Sequence, residues 1–177
     1  FGHDPRTLLQ AVRDFKPLPH RLAHVGTRDG VTWIDDSIST TPEATLAALR
    51  SVAPRPTAVL IGGFDRGLDW GDFARQIAAE PPAAVIAMGQ NGARIHAQIE
   101  EAYAAQAKVA PPMMKLVDTL EAAMTAATRM VPAGGVVLLS PGAPSFDQFR
   151  DYAERGRAFA RLAGFEVADE HIEGLGP

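Results

Sequence analysis

An open α/β sheet, mostly parallel and flanked by helices on both faces, is the fold class this sequence predicts, and three observations predict it. Four compact, largely apolar runs at 57–61, 83–87, 114–117 and 136–139 have strand length and read as strands buried on both faces of a parallel sheet. Longer stretches with helical periodicity lie between them, giving the β-α repetition that builds such sheets. Ahead of them, short apolar runs at 22–25 and 31–34 flank Thr27-Arg28-Asp29-Gly30, and Asp-Gly is a strong hairpin turn signal.

Taken in order, the elements fit a Rossmann-like arrangement. The chain starts at Phe1, without Met, in a segment (5–15) that reads as a short helix. Residues 1–16 are therefore expected to be the tail of a preceding, central domain or a linker helix, and the chain a piece of a longer protein. The hairpin follows. Thr41 then suits a helix N-cap, Pro42 the first helical position and Glu43 the first turn, so a helix is predicted over 42–50. Further helices are expected at about 71–79, 91–103, 119–130 and 146–162, two of them with capping boxes: Asp118 with Glu121, and Ser145 with Gln148. The Pro-rich stretches Pro17-Leu18-Pro19 and Pro54-Arg55-Pro56 join elements. One domain is expected over 17–164, with 165–177 as a trailing tail.

Composition narrows the function. The 177 residues, 46% hydrophobic, suffice for one domain with its own core. With 21% charged residues, a formal net charge of -4 and no block of Lys or Arg, nucleic acid is not an expected partner. The absence of cysteine excludes disulfides and thiolate metal sites. His3, His20, His24, His96 and His171 show no ligand spacing, so no metal site is expected in this chain. No apolar run approaches the ~20 residues of a membrane span and no signal peptide is visible. A cytoplasmic protein without membrane contact is expected.

Chemistry is expected beyond the carboxyl ends of the strands, where open α/β sheets bind ligands. Three loops fall there. Asp35-Asp36-Ser37-Ile38-Ser39-Thr40-Thr41 runs into a helix start, and its hydroxyls and backbone N–H groups suit an anion; the same residues would also serve as caps alone. Gly62-Gly63-Phe64-Asp65-Arg66-Gly67-Leu68-Asp69 pairs close backbone approach with a planar guanidinium that grips carboxylates, although a Gly-rich turn with a solvated arginine would read the same. In 140–149, Ser145 could hold a second carboxylate or cap a helix. No nucleophile–base pair, carboxylate dyad or Walker-type loop occurs, so the residues alone support a small-anion or nucleotide-binding domain and reveal no reaction.

The order of these motifs goes further. Leu18-Pro19-His20-Arg21, Asp36-Ser37-x-Ser39-Thr40, Gly62-Gly63, Leu139-Ser140-Pro141 with Ser145-Phe146-Asp147-Gln148-Phe149, and Arg155-Gly156-x-x-Phe159 occur in register. Together they resemble the C-terminal domain of MurD-type ligases, which add glutamate to UDP-N-acetylmuramoyl-alanine, over about residues 17 to 163. The resemblance implies a three-domain, ATP-dependent amide ligase of peptidoglycan synthesis. ATP phosphorylates the acceptor carboxylate, and the glutamate amine attacks the resulting acyl phosphate. The phosphate-binding loop, the magnesium ligands and a carbamylated lysine belong to the central domain of such enzymes, and the UDP to the N-terminal one. No G-K-[ST] loop occurs here, so this chain alone is expected to be inactive, with no catalytic residue of its own. Its partners would be ATP, glutamate, UDP-N-acetylmuramoyl-L-alanine and the other two domains.

By the same resemblance Arg21 and Asp36 would contact the nucleotide, and Ser37, Thr40, Arg66, Ser145 and Tyr152 the incoming glutamate. Arg66 stands where the family pattern has lysine, and Tyr152 where phenylalanine is common. The sharpest departure is Ile38: the usual loop reads Asp-Ser-Lys-Ala-Thr-Asn, and this one Asp36-Ser37-Ile38-Ser39-Thr40-Thr41. Losing a charge partner costs a site about 2–5 kcal/mol unless something replaces it, and Arg66 is a candidate. A family branch with a similar Ser-x-Ser-Thr-Thr-Pro loop adds L-glutamate, so the resemblance implies D-glutamate by family default, with L-glutamate nearly even. A stand-alone, non-catalytic sensing module and a folylpolyglutamate-type ligase are the other readings; the Ser145-Phe146-Asp147-Gln148-Phe149 run speaks against the second.

Overall fold

The computed structural model describes residues 18–106 and 111–166. The helix expected at 5–15, and the tail from 167 onward, lie outside the described residues. Six strands form one sheet: β1 (Ala23–Arg28), β2 (Val31–Asp35), β3 (Thr57–Ile61), β4 (Ala84–Ala87), β5 (Met113–Leu116) and β6 (Val136–Leu139). Five helices connect or follow them: α1 (Pro42–Val52), α2 (Gly71–Ala79), α3 (Gly92–Gln106), α4 (Leu120–Met130) and α5 (Tyr152–Leu162). The strand order is β1-β2-β6-β3-β4-β5. Only the β1–β2 pair is antiparallel; all other neighbours are parallel. The predicted fold class is the one found.

Local chemistry explains the elements. Asp29 and Gly30 turn the hairpin at φ 52° and 75°, the doubly left-handed geometry that Asp-Gly supplies. Both strands run longer than expected, to Arg28 and Asp35. Along β3, Ala58 and Leu60 join one core and Val59 and Ile61 the other, which is why the run shows no polar alternation. The first core lies under α4 and α5, around Leu120, Met124 and Phe159. The second lies under α1, α2 and α3, around Leu46, Phe73, Ile77 and Ile95.

Two helix starts differ from expectation. The α4 cap is Thr119, whose hydroxyl accepts from Ala122 N, and not Asp118. The last helix begins at Tyr152, not 146, with Asp151 as cap accepting from Glu154 N at 2.7 Å. The Glu154 carboxylate reaches back to the Arg150 N–H. Gln148, expected to box with Ser145, instead accepts from Leu120 N and donates to the Asp118 carbonyl, capping α4 across the fold. Phe165, expected to begin the tail, packs on the first core, and its ring fills the space a side chain at Gly26 would need.

Candidate functional site

The strand order places β2, β6 and β3 side by side with their carboxyl ends together, so the three loops meet. Ser140 Oγ donates to Asp36 Oδ2 at 2.7 Å, joining the first and third. Gly62 N donates to the Pro141 carbonyl and Phe64 N to that of Pro144, joining the second and third. Phe64 and Phe146 meet edge to face at the rim, ring centres 6.3 Å apart. Gly62 and Gly63 allow this approach: a Cβ on either would collide with a backbone carbonyl, of Met88 or of Pro144. Their smallness serves protein packing.

Arg21, Asp36, Ile38 and Thr40 line one cleft of ≈ 340 Å³, together with Leu22, Ser39 and the Ala44, Ala47, Ala48 and Ser51 side of α1. Asp36 is buried, and its carboxylate accepts from Ser140 Oγ and Leu22 N. Burial raises its pKa; those two hydrogen bonds and Arg21 pull the other way, while the neighbouring Asp35 adds to the rise. Arg21 is exposed, and its side chain makes no hydrogen bond among the described residues. Ser39 Oγ is buried there without a partner.

The other expected site residues are placed differently. Ser37 is fully buried and its hydroxyl is already engaged, donating to the Tyr152 carbonyl and accepting from Arg155 Nε. Ser37 holds the loop in place. Ser145 is buried with an unpartnered hydroxyl. Tyr152 is half-buried at the first turn of α5, its ring nearly perpendicular to that of His20. Arg66 is exposed and outside the cleft. Its neighbour Asp65 is tied down: Arg94 grips it through Nη2 at 2.6 Å and Nε, and its Oδ1 accepts from Gly67 N. These contacts lower the Asp65 pKa, the Gly67 bond foremost.

Sequence reasoning quoted Arg155 and His20 as motif members but gave neither a part in building the site. Arg155, 1% exposed, sits on the buried stripe of α5 beside Gly156 and Phe159. Its guanidinium donates to the Ser37 hydroxyl and carbonyl and to the Ala143 carbonyl, bolting the first loop to the third. Burial lowers its pKa to about 10, with Asp147 and Asp35 opposing, so it stays charged at neutral pH. A charge at a helix position of apolar periodicity was the available signal. The backbone also leaves the usual regions where the chain enters the sheet: His20 and Leu22 have φ of 59° and 46°, conformations that cost about 1–3 kcal/mol each for side chains of this kind. Among the described residues no group of three or more His, Asp or Glu could hold a metal ion, and no helix is long and apolar enough to cross a membrane.

Comparison with known proteins bears on this arrangement. The family model described as Mur ligase, glutamate ligase domain matches residues 20–142. A protein of Xanthomonas euvesicatoria pv. vesicatoria named UDP-N-acetylmuramoyl-L-alanine--L-glutamate ligase is 49% identical, over 99% of this chain and 37% of its own length. A UDP-N-acetylmuramoylalanine--D-glutamate ligase of Rubrobacter xylanophilus is 39% identical, over 92% of this chain and 35% of its own. The chain thus spans little more than a third of these relatives. Among solved structures, the Acinetobacter baumannii UDP-N-acetylmuramoylalanyl-D-glutamyl-2,6-diaminopimelate--D-alanyl-D-alanyl ligase shares the fold: TM-score 0.61 at 16% identity, over 92% of this chain and 33% of that one. With the motifs in register, the sheet order found and a family model spanning residues 20–142, the chain belongs to the Mur ligase, glutamate ligase domain family.

Proposed function

We propose that this chain is the C-terminal domain of an ATP-dependent amide ligase of the cytoplasm that adds L-glutamate to UDP-N-acetylmuramoyl-L-alanine in peptidoglycan synthesis. The main support is the cleft that Arg21, Asp36, Ile38 and Thr40 share. Asp36 keeps acceptor capacity for ribose hydroxyls, because each of its oxygens takes only one protein donor. Arg21 supplies a cation beside it, unpaired among the described residues, for the nucleotide phosphates. Thr40, Tyr152, the exposed charge of Arg66 and the buried, unpartnered Ser145 hydroxyl are the groups we assign to glutamate, and Ser37 fixes the loop that carries Thr40. The residues present fit one wall of an ATP site. They do not fit magnesium, whose ligands we assign to the central domain.

The L-hand is favoured on two grounds. Ile38 lines the cleft where the more usual loop has a lysine, and the relative named for L-glutamate is 49% identical, against 39% for the one named for D-glutamate. The test is ligation by the full-length enzyme, with ATP, UDP-N-acetylmuramoyl-L-alanine and each glutamate enantiomer. Turnover with L-glutamate is expected. Turnover with D-glutamate alone would refute the stereochemical reading, and none with either would refute the proposal.

A further inference from the structure

We infer that His20 and Asp35 form a positioning pair that holds the strained His20-Arg21-Leu22 turn and so aims Arg21 across the cleft beside Asp36. The inference rests on the reading of Arg21 and Asp36 as a nucleotide wall. His20 and Leu22 both lie in the left-handed region, which non-glycine residues occupy when surrounding contacts over-determine them. Three contacts do so here, and all run to the last residue of β2 or the loop after it. His20 Nδ1 meets Asp35 Oδ2 at 2.6 Å, Ile38 N donates to the His20 carbonyl, and Leu22 N donates to Asp36 Oδ1. None uses the Arg21 side chain, which the turn leaves projecting into the cleft.

A second observation comes from α5. Gly156 lies on its buried stripe, where glycine weakens a helix. A Cβ there would collide with both the His20 ring and the Asp35 carboxylate. One turn earlier, the Tyr152 ring meets that of His20 in a T-shaped contact, centres 5.9 Å apart at 77°. With side-chain exposures of 14% and 4%, the pair is wedged between loop and helix. Asp35 is held in turn, its Oδ1 accepting from Ser37 N. The glycine of the Arg-Gly motif of α5 is thereby explained by what leans on it.

The test uses the full-length enzyme with ATP varied. His20→Ala should raise the KM for ATP on the order of tenfold while kcat stays within about twofold, the pattern of lost binding contacts. His20→Asn, whose amide nitrogen overlays Nδ1 and whose backbone tolerates the left-handed region, should recover most of the loss. Gly156→Ala should reproduce the defect. In the Arg21→Ala background, His20→Ala should add nothing, because the pair acts through Arg21. Additive effects, an unchanged KM in His20→Ala, or failure of His20→Asn to rescue would overturn the inference. Hydrogen exchange on the same enzyme gives a readout that needs no turnover: the Leu22 and Ile38 amides should lose protection in His20→Ala and regain it in His20→Asn. Unchanged protection overturns the pair even if the enzyme proves not to use ATP, whereas a wild type without ATP-dependent turnover sinks only the proposed function.

Discussion

Replacing Gly62 with Ala should destabilise the chain by far more than a loop substitution usually does. Gly62 sits at φ 99° directly after β3, fully inside the fold. Holding alanine there costs about 1–3 kcal/mol in backbone strain. Its methyl would also overlap the Met88 carbonyl oxygen and press on Asn91 Oδ1 at 3.1 Å. Neither neighbour can yield easily: Met88 N is bonded to the Ile61 carbonyl and Asn91 Oδ1 to Gly63 N. Overpacking of this kind adds about 1–3 kcal/mol, so the total is roughly 2–6 kcal/mol, against a whole-domain stability of about 5–15 kcal/mol. Gly67→Ala is the control, since Gly67 has φ 73° but nothing within 4 Å of a Cβ, and should lose only the strain, about 1–2 kcal/mol. Equilibrium urea unfolding followed by circular dichroism, with midpoints compared at a common m-value, measures both. Equal losses for the two variants would refute the claim that the Gly62-Gly63 step exists to let strand ends and loops touch.

Asp36→Asn should trade binding for stability. Burial raises the Asp36 pKa, so the folded chain binds that proton more tightly than the unfolded one, and stability from this group is present in acid and lost as pH rises above the ordinary carboxylate range. The variant should therefore unfold at higher urea than wild type at pH 7, with the advantage shrinking towards pH 4, while the KM for ATP rises in the intact enzyme; a lower midpoint at pH 7 would contradict this. Arg66→Ala should leave the urea midpoint unchanged, as Arg66 is exposed and unbonded among the described residues, yet raise the KM for glutamate severalfold; unaltered glutamate kinetics would remove Arg66 from the site. Tyr103 donates to the Ile77 carbonyl at 2.7 Å, and burial raises its pKa to about 12. Tyr103→Phe should cost about 1 kcal/mol near neutrality, lose the tyrosinate absorbance step near pH 12, and differ less from wild type as pH climbs from 10 to 12, where the phenol's contribution is lost.

The parallel core was legible because runs such as 57–61 and 136–139 are apolar on both faces, and only a sheet covered on both sides asks for that. The hairpin was legible from Asp29-Gly30. The start of α5 was not: Ser145 and Gln148 have capping-box spacing, but Gln148 finds better use on the bare Leu120 N–H of α4, a partner 28 residues away that local pattern cannot reveal. Arg21, Asp36 and Thr40 share one cleft because the β1–β2 hairpin folds the segment before β1 back onto the loop after β2. Ser37 carries the same kind of hydroxyl as Ser145, yet the inner side of its turn delivers it to Tyr152 and Arg155. Which way a loop side chain points depends on the helix packed behind it, and that is long-range information.

The central place of β6 has a consequence for how the chain comes to be folded. β6, the last of the described strands, lies between β2 and β3, pairing with residues synthesised roughly 80 to 100 positions earlier. Until residue 139 is available, the hairpin and the β3-β4-β5 unit have no shared edge, and β3 presents an open flank of unpaired N–H and C=O groups. Such late, distant pairing is slow, because loop closure must precede the contacts that reward it. A nascent or truncated chain ending near residue 135 would thus be two halves with a hydrophobic gap between them, a natural target for chaperones or a seed for aggregation. The strand that closes this gap is also the one that brings Ser140 to Asp36, so the nucleotide wall is assembled in the same event that completes the sheet.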